Sequence, residues 1–102
     1  MDPANRTLNT DRRLLLLSEK DNVCVAAAAI EAGEHVLFNG KPIEVLNRLP
    51  MGHKMAMRPI AEGEAVIKYG ASIGSATRAI AVGEHVHTHN LKSNYLPTFA
   101  RE

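Results

Sequence analysis

"IAVGEHV", residues 80–86, is the stretch that decides the fold. Its pattern, Ile-x-x-Gly-Glu-x-Val, occurs twice earlier, as "IEAGEHV" at 30–36 and "IAEGEAV" at 60–66. The copies start at Ile30, Ile60 and Ile80. Such unequal spacing rules out a solenoid of fixed period and predicts one turn design used at three corners. An apolar Ile anchors the incoming segment, two residues turn, and Gly takes a backbone conformation that needs positive φ. Glu then starts the next strand on its wet side and Val re-enters the core. Glu34, Glu64 and Glu84 therefore read as solvated strand starts rather than as an acidic cluster.

Outward from these corners, short runs rich in β-branched residues alternate with Gly and Pro punctuation. "FNGKPI" (38–43) reads as a hairpin with Asn39-Gly40 at its tip, and "VIKYGASIG" (66–74) as a strand, a tight turn at Gly70 and a second strand. One region pulls the other way. The alanines of "EKDNVCVAAAAIEAG" (19–33) favour helix, with Gly33 placed as a C-cap. The matching turn at Ile30–Val36 assigns it to strand, so the whole chain is expected to be all-β, of many short strands with at most one short helix. Residues 1–12 are polar and aperiodic and read as a flexible lead-in. Residues 13–93 read as the domain. Residues 94–102 read as a tail whose Tyr95 and Phe99 suit docking on a partner or on the domain itself.

The 102 residues suffice for one domain with a modest core. Apolar residues make up 45% but aromatics only 4%, so Ala, Val, Ile, Leu and Met must fill it. A net charge of +1 lacks the basic face of a nucleic-acid binder. Cys24, alone among apolar neighbours, reads as a small buried hydrophobe and forms no internal disulfide. The apolar run Leu14–Leu17 is too short for a signal peptide, and no segment has the length of a membrane span. The reading is a soluble cytoplasmic protein that binds neither nucleic acid nor membrane.

Three polar groups are candidates for chemistry. In "GHK" (52–54), Gly52 allows close backbone approach, and His53 with Lys54 suits an anion or carboxylate. In "VIKYG" (66–70), Lys68 and Tyr69 point to opposite faces if the segment is a strand. In "HVHTHN" (85–90), His85, His87 and His89 share one face of an extended strand, opposite Val86. Two strand histidines at i and i+2 can hold a divalent metal if a third ligand, such as His53, comes from elsewhere.

Taken together, "GHK", "GEAVIKYG", "IG" and "VHTHN", in this order within Gly52–Ser93, resemble the N-terminal module of the altronate/galactarate dehydratase family. The resemblance is weaker from Leu15 to Leu49. It implies a SAF-type domain with a β-clip fold and a lyase reaction, in which a hydroxy acid loses a β-substituent. In the dehydratases a base removes the proton α to the carboxylate, water leaves, and a 2-keto acid forms. The resemblance implies catalytic roles for His53, Lys54, Lys68, His87 and His89, and substrate binding by Lys54 and Asn90. It also implies a divalent metal, Fe2+ or Mn2+, at His87 and His89 or mainly on the larger partner. His85 is not carried over. As the third motif's counterpart of His35 in the first, it reads as a turn-flanking surface residue.

In typical members several hundred residues follow this module, whereas this chain stops at Glu102. The related (2R)-sulfolactate sulfo-lyase resembles the alternative, with a free-standing alpha subunit beside a large one. The expectation is either the N-terminal module of a longer sugar-acid dehydratase or a small subunit that pairs with a large catalytic subunit and can self-associate when isolated. A sulfo-lyase subunit, a non-catalytic sugar- or anion-binding module and a purely assembling domain are the alternatives.

Overall fold

The computed structural model describes residues 9–93. They form nine short strands and, among the described residues, no helix. The strands are β1 (Leu14–Leu15), β2 (Val23–Ala26), β3 (His35–Phe38), β4 (Lys41–Glu44), β5 (Lys54–Ala56), β6 (Ala65–Lys68), β7 (Ala71–Ala76), β8 (His85–Val86) and β9 (Leu91–Lys92). A central antiparallel sheet runs β1-β2-β5-β8, flanked by the β3-β4 hairpin and a β6-β7-β9 sheet. The region that propensity alone would give to helix is strand over Val23–Ala26, and Ala27–Ala29 then bend into the first corner without forming helix.

The central sheet buries both faces, and strand alternation sorts its residues. Cys24, Ala26 and Met55 join Ile30, Val36, Val45 and Leu49 in one core. Val23, Ala56 and Val86 join Ile60, Val66, Ala76 and Ile80 in the other. Each of Ile30, Leu49, Ile60 and Ile80 is at most 2% exposed, and burial of such a side chain contributes about 1.5–3 kcal/mol.

The three repeated turns have the same hydrogen bonding. The Gly33, Gly63 and Gly83 N–H groups donate to the carbonyls of Val45, Ala76 and Ala56. Those three residues donate back to the carbonyls of Glu34, Glu64 and Glu84. Each glutamate also closes its own turn, accepting from the N–H three residues earlier at Glu31, Ala61 and Ala81 (3.1, 2.8 and 2.9 Å). The carboxylates thus do more than face solvent: they cap the corner.

A further corner shares this pattern. Leu49-Pro50-Met51-Gly52-His53-Lys54-Met55 matches apolar-x-x-Gly-x-x-apolar. The Gly52 N–H donates to Ala26, and Ala26 donates to the His53 carbonyl. The corners work in reciprocal pairs, with Ile30 bridged to Leu49 and Ile60 to Ile80. In sequence order, the first pairs with the second and the third with the fourth.

Both hairpin tips are held from the N-terminal side. The Asn39 N–H donates to Thr10 Oγ1 (3.0 Å) and the Gly40 N–H to the Asn9 carbonyl (2.9 Å). Residues 9–12, expected as part of a flexible lead-in, are therefore tied to the β3-β4 hairpin through these bonds and the Asp11 N–H donating to Leu37. At the other tip, the Tyr69 and Gly70 N–H groups donate to the two oxygens of Asp21 (3.0 and 2.8 Å). Residues 1–8 and the expected docking tail from residue 94 onward lie outside the described residues.

Candidate functional site: a histidine cluster at the second corner

The second corner differs from the others in the residues that make no fold-wide pattern. In the third and fourth corners an arginine pairs with the capping glutamate, Arg58 with Glu64 and Arg78 with Glu84. Six residues separate each pair. The same two places in the second corner hold Asn47 and His53. Pro50 explains why glutamate is not needed there: it stands where Glu31, Ala61 and Ala81 offer their N–H, and proline has none. The position that caps three corners is free in this one to carry an imidazole.

Both replacements turn toward His85. Asn47 Oδ1 accepts the His85 N–H at 3.1 Å. His53 Nδ1 lies 2.9 Å from His85 Nε2, and one neutral ring can donate to the other. Strand pairing makes this possible, because β5 and β8 set Met55 opposite His85 and Lys54 opposite Val86. The His53 ring stacks on His85 and His87, with centroids 5.1 and 4.8 Å away, and His85 lies 5.5 Å from His87. His89 lies farther round, its ring tilted and 5.4 Å from His85. His53 and His85 are half-buried while His87 and His89 are exposed, so the cluster opens to solvent on the His87 side.

The extended His85–His89 strand expected from the alternation does not form. β8 ends at Val86, and residues 87–90 make a turn in which the Asn90 and Leu91 N–H groups donate to the His87 carbonyl. The histidines still meet, because the turn curls back over His85. The expectation for His85 is corrected. Its counterpart His35 pairs with Glu44 in the outer hairpin and is exposed, whereas His85 lies at the centre of the cluster.

Asn90, expected among the substrate-binding residues, is fully buried, and both ends of its amide are used. Its Oδ1 accepts the His87 N–H and its Nδ2 donates to the His85 carbonyl, each at 2.9 Å. Asn22 makes the same bracket around Ala65 and Ile67 next to the third corner.

Lys54 and Lys68 form a second feature. Consecutive strand residues face opposite sides, so Lys54 projects with Val25 and Val86, away from the Met55–His85 face. Burial, then the nearby Lys68 charge, lowers the Lys54 pKa. The Lys68 ammonium lies 5.9 Å from the centre of the Tyr69 ring. Among the described residues the ion pairs found are all made by arginines, and neither lysine has a carboxylate partner.

The cluster suits a divalent cation. One nitrogen from each of His53, His85 and His87 lies within 4.8 Å of the others. A 2.9 Å separation is what two adjacent ligands at about 2.1 Å from a metal would show. Burial, with smaller contributions from the His53, His89 and His87 imidazoles and Lys54, lowers the His85 pKa to about 4, which keeps its ring neutral and a lone pair available. Cys24 takes no part. It is buried in the core, and burial pushes its thiol up to about 12.

Among the described residues no helix is long and apolar enough to cross a membrane. The family model for the altronate/galactarate dehydratase SAF domain matches residues 12–94. An altronate dehydratase of Bacillus subtilis is 39% identical over 83 residues, 81% of this chain and 17% of that protein. One of Escherichia coli is 43% identical over 74 residues, 72% of this chain and 15% of that protein. The (2R)-sulfolactate sulfo-lyase subunit alpha of Chromohalobacter salexigens is 52% identical over 50 residues, 49% of this chain and 53% of that subunit. This chain therefore spans less than a fifth of the altronate dehydratases and about half of the sulfo-lyase subunit. With the all-β corner-built fold and a model match across nearly all the described residues, the chain belongs to the altronate/galactarate dehydratase SAF-domain family.

Proposed function

We propose that this chain is the small module of a lyase that dehydrates a sugar acid such as altronate or galactarate. The carrying observation is the meeting of His53, His85 and His87 at the one corner that has given up its structural glutamate. The reaction needs a base for the proton α to the carboxylate, an acid for the departing hydroxyl and a cation for the carboxylate. A divalent cation, Fe2+ or Mn2+, held by His53, His85 and His87 would supply Lewis-acid stabilisation of the acid and its enolate. His89, exposed and with its ring 5.4 Å from that of His85, would take or give a proton. Lys54 and Lys68, half-buried and without a carboxylate partner among the described residues, would serve as the cations for the carboxylate, and Lys54 is near enough to influence His85.

The cluster is open on the His87 side, and we assign its closure to a larger catalytic body. Support comes from the dehydratase relatives, most of whose length lies beyond this module, and from relatives named as alpha subunits. The test combines the chain with a large subunit and follows 2-keto acid formation from altronate and galactarate. The chain alone should be silent and the combination active. Replacing His53, His87 and His89 together by Ala should lower turnover about 100-fold or more. Full turnover by that variant would leave the module a binding or assembly unit.

A second reading, the alpha subunit of a (2R)-sulfolactate sulfo-lyase, is favoured by the higher identity of those subunits, 52% and 47%. Sulfite release from (2R)-sulfolactate in the same combined preparation, without 2-keto acid from the sugar acids, would establish it instead.

A further inference from the structure

We infer that Asn47 and Asn90 are positioning residues that bring the His85 and His87 rings to His53. Three observations carry this. Asn47 stands where the third and fourth corners carry the arginine of an ion pair, yet its side chain leaves its own corner and accepts the His85 N–H. Asn90 is fully buried and holds the His85 carbonyl and the His87 N–H with opposite ends of one amide. Between them the two asparagines hold both backbone polar groups of His85 and the N–H of His87. The imidazoles at these positions are left to meet His53 and one another.

The molecule contains its own control. Asn22 brackets Ala65 and Ile67 with the same pair of bonds, and no imidazole is there. Loss of the bracket at Asn22 removes fold stability alone. Loss at Asn90 removes comparable stability and also the arrangement of the cluster. Asn47 allows a finer test, because only its Oδ1 is used: an aspartate keeps that acceptor and an alanine does not.

This inference rests on the metal reading for one of its two measurements and is independent of it for the other. Four variants of the full chain are compared, Asn47→Ala, Asn47→Asp, Asn90→Ala and Asn22→Ala. In the metal-free chain, ring-to-ring nuclear Overhauser contacts among His53, His85 and His87 are recorded beside thermal melts. Co2+ alone then serves as the metal probe, with affinity read from its visible absorption.

Asn47→Ala should lose the ring contacts with little change in melting temperature, and bind Co2+ about 10- to 100-fold more weakly. Asn47→Asp should keep both. Asn90→Ala and Asn22→Ala should melt at similarly lowered temperatures, but only Asn90→Ala should lose the ring contacts and the metal affinity. Ring contacts preserved in Asn47→Ala and in folded Asn90→Ala would overturn the inference. So would equal loss in Asn22→Ala. Absence of Co2+ binding by the wild-type chain would sink the metal reading, while the ring contacts would still decide the positioning role.

Discussion

Converting the second corner back to the design of the other three separates its fold from its chemistry. The perturbation is the double variant Pro50→Ala, His53→Gln. Alanine restores the missing N–H, and the glutamine amide oxygen can accept it as the glutamates do at 2.8–3.1 Å. That bond should contribute about 0.5–1.5 kcal/mol. Loss of proline gives back unfolded-state freedom and costs about 0.4–1 kcal/mol. The His53 ring is half-buried, so losing its stacking costs about 0.5–1 kcal/mol. These terms nearly cancel, and urea unfolding should place the variant within about 1 kcal/mol of wild type. Cluster function should not survive, because the ring 2.9 Å from His85 is gone. Co2+ affinity should fall by more than the roughly 100-fold upper range for residues that only support ligands. A destabilisation above about 3 kcal/mol would refute the equivalence of the corners. Unchanged Co2+ affinity would refute the place of His53 in the cluster.

Other corners and tips give further tests. Gly33 and Gly83 have nearly the same φ, +90° and +87°, but a Cβ at Gly83 would strike the Glu44 carbonyl while Gly33 has open space. Gly33→Ala should therefore cost about 1–2 kcal/mol, and Gly83→Ala at least about 2 kcal/mol more, by urea unfolding; equal costs would contradict the packing of residues 44–47 along the fourth corner. Tyr69 holds φ +59° with 70% of its surface exposed, a conformation that the other hairpin gives to Asn39. Tyr69→Asn should raise stability by about 0.5–1 kcal/mol, less a small loss of the Lys68–ring contact; a loss above about 1 kcal/mol would show that the ring packs. The His85 pKa lies below its unfolded value, so the unfolded chain takes up the proton more readily. In the metal-free chain its contribution should be full above pH 6.5, fall as pH drops toward 4 and level off below. The difference in stability between wild type and His85→Gln, followed from pH 7 to 4, should show this slope; a difference constant with pH would refute it.

Much of the fold was legible because its rules are local. The Ile-x-x-Gly-Glu-x-Val corners and the Asn39-Gly40 tip depend on φ angles and on neighbours within seven residues. The alanines at 26–29 favoured helix by propensity, but the turn pattern assigned the region to strand, and strand pairing on both sides of β2 outweighs that propensity. The second corner escaped notice because it keeps only the apolar-x-x-Gly-x-x-apolar frame and has lost Ile, Glu and Val. His53 was named from its own motif, but its place in the corner's glutamate position, where proline removes the hydrogen-bond donor, was not.

Adjacent residues alone determined three of the four corners, their glycines, the hairpin tips and the family resemblance. The sequence also singled out His53, Lys54, Lys68, His87, His89 and Asn90 as candidates for chemistry. What it could not determine was the standing of His85, which shares the Gly-Glu-His-Val of its turn with His35. Only tertiary structure separates the two. Pairing of β3 with β4 leaves His35 in an outer hairpin beside Glu44, while pairing of β5 with β8 brings His85 to His53, 32 residues away in the chain. A turn is decided by the conformations of a few consecutive residues. A cluster of side chains is decided by which strands pair, and that depends on burying two cores at once.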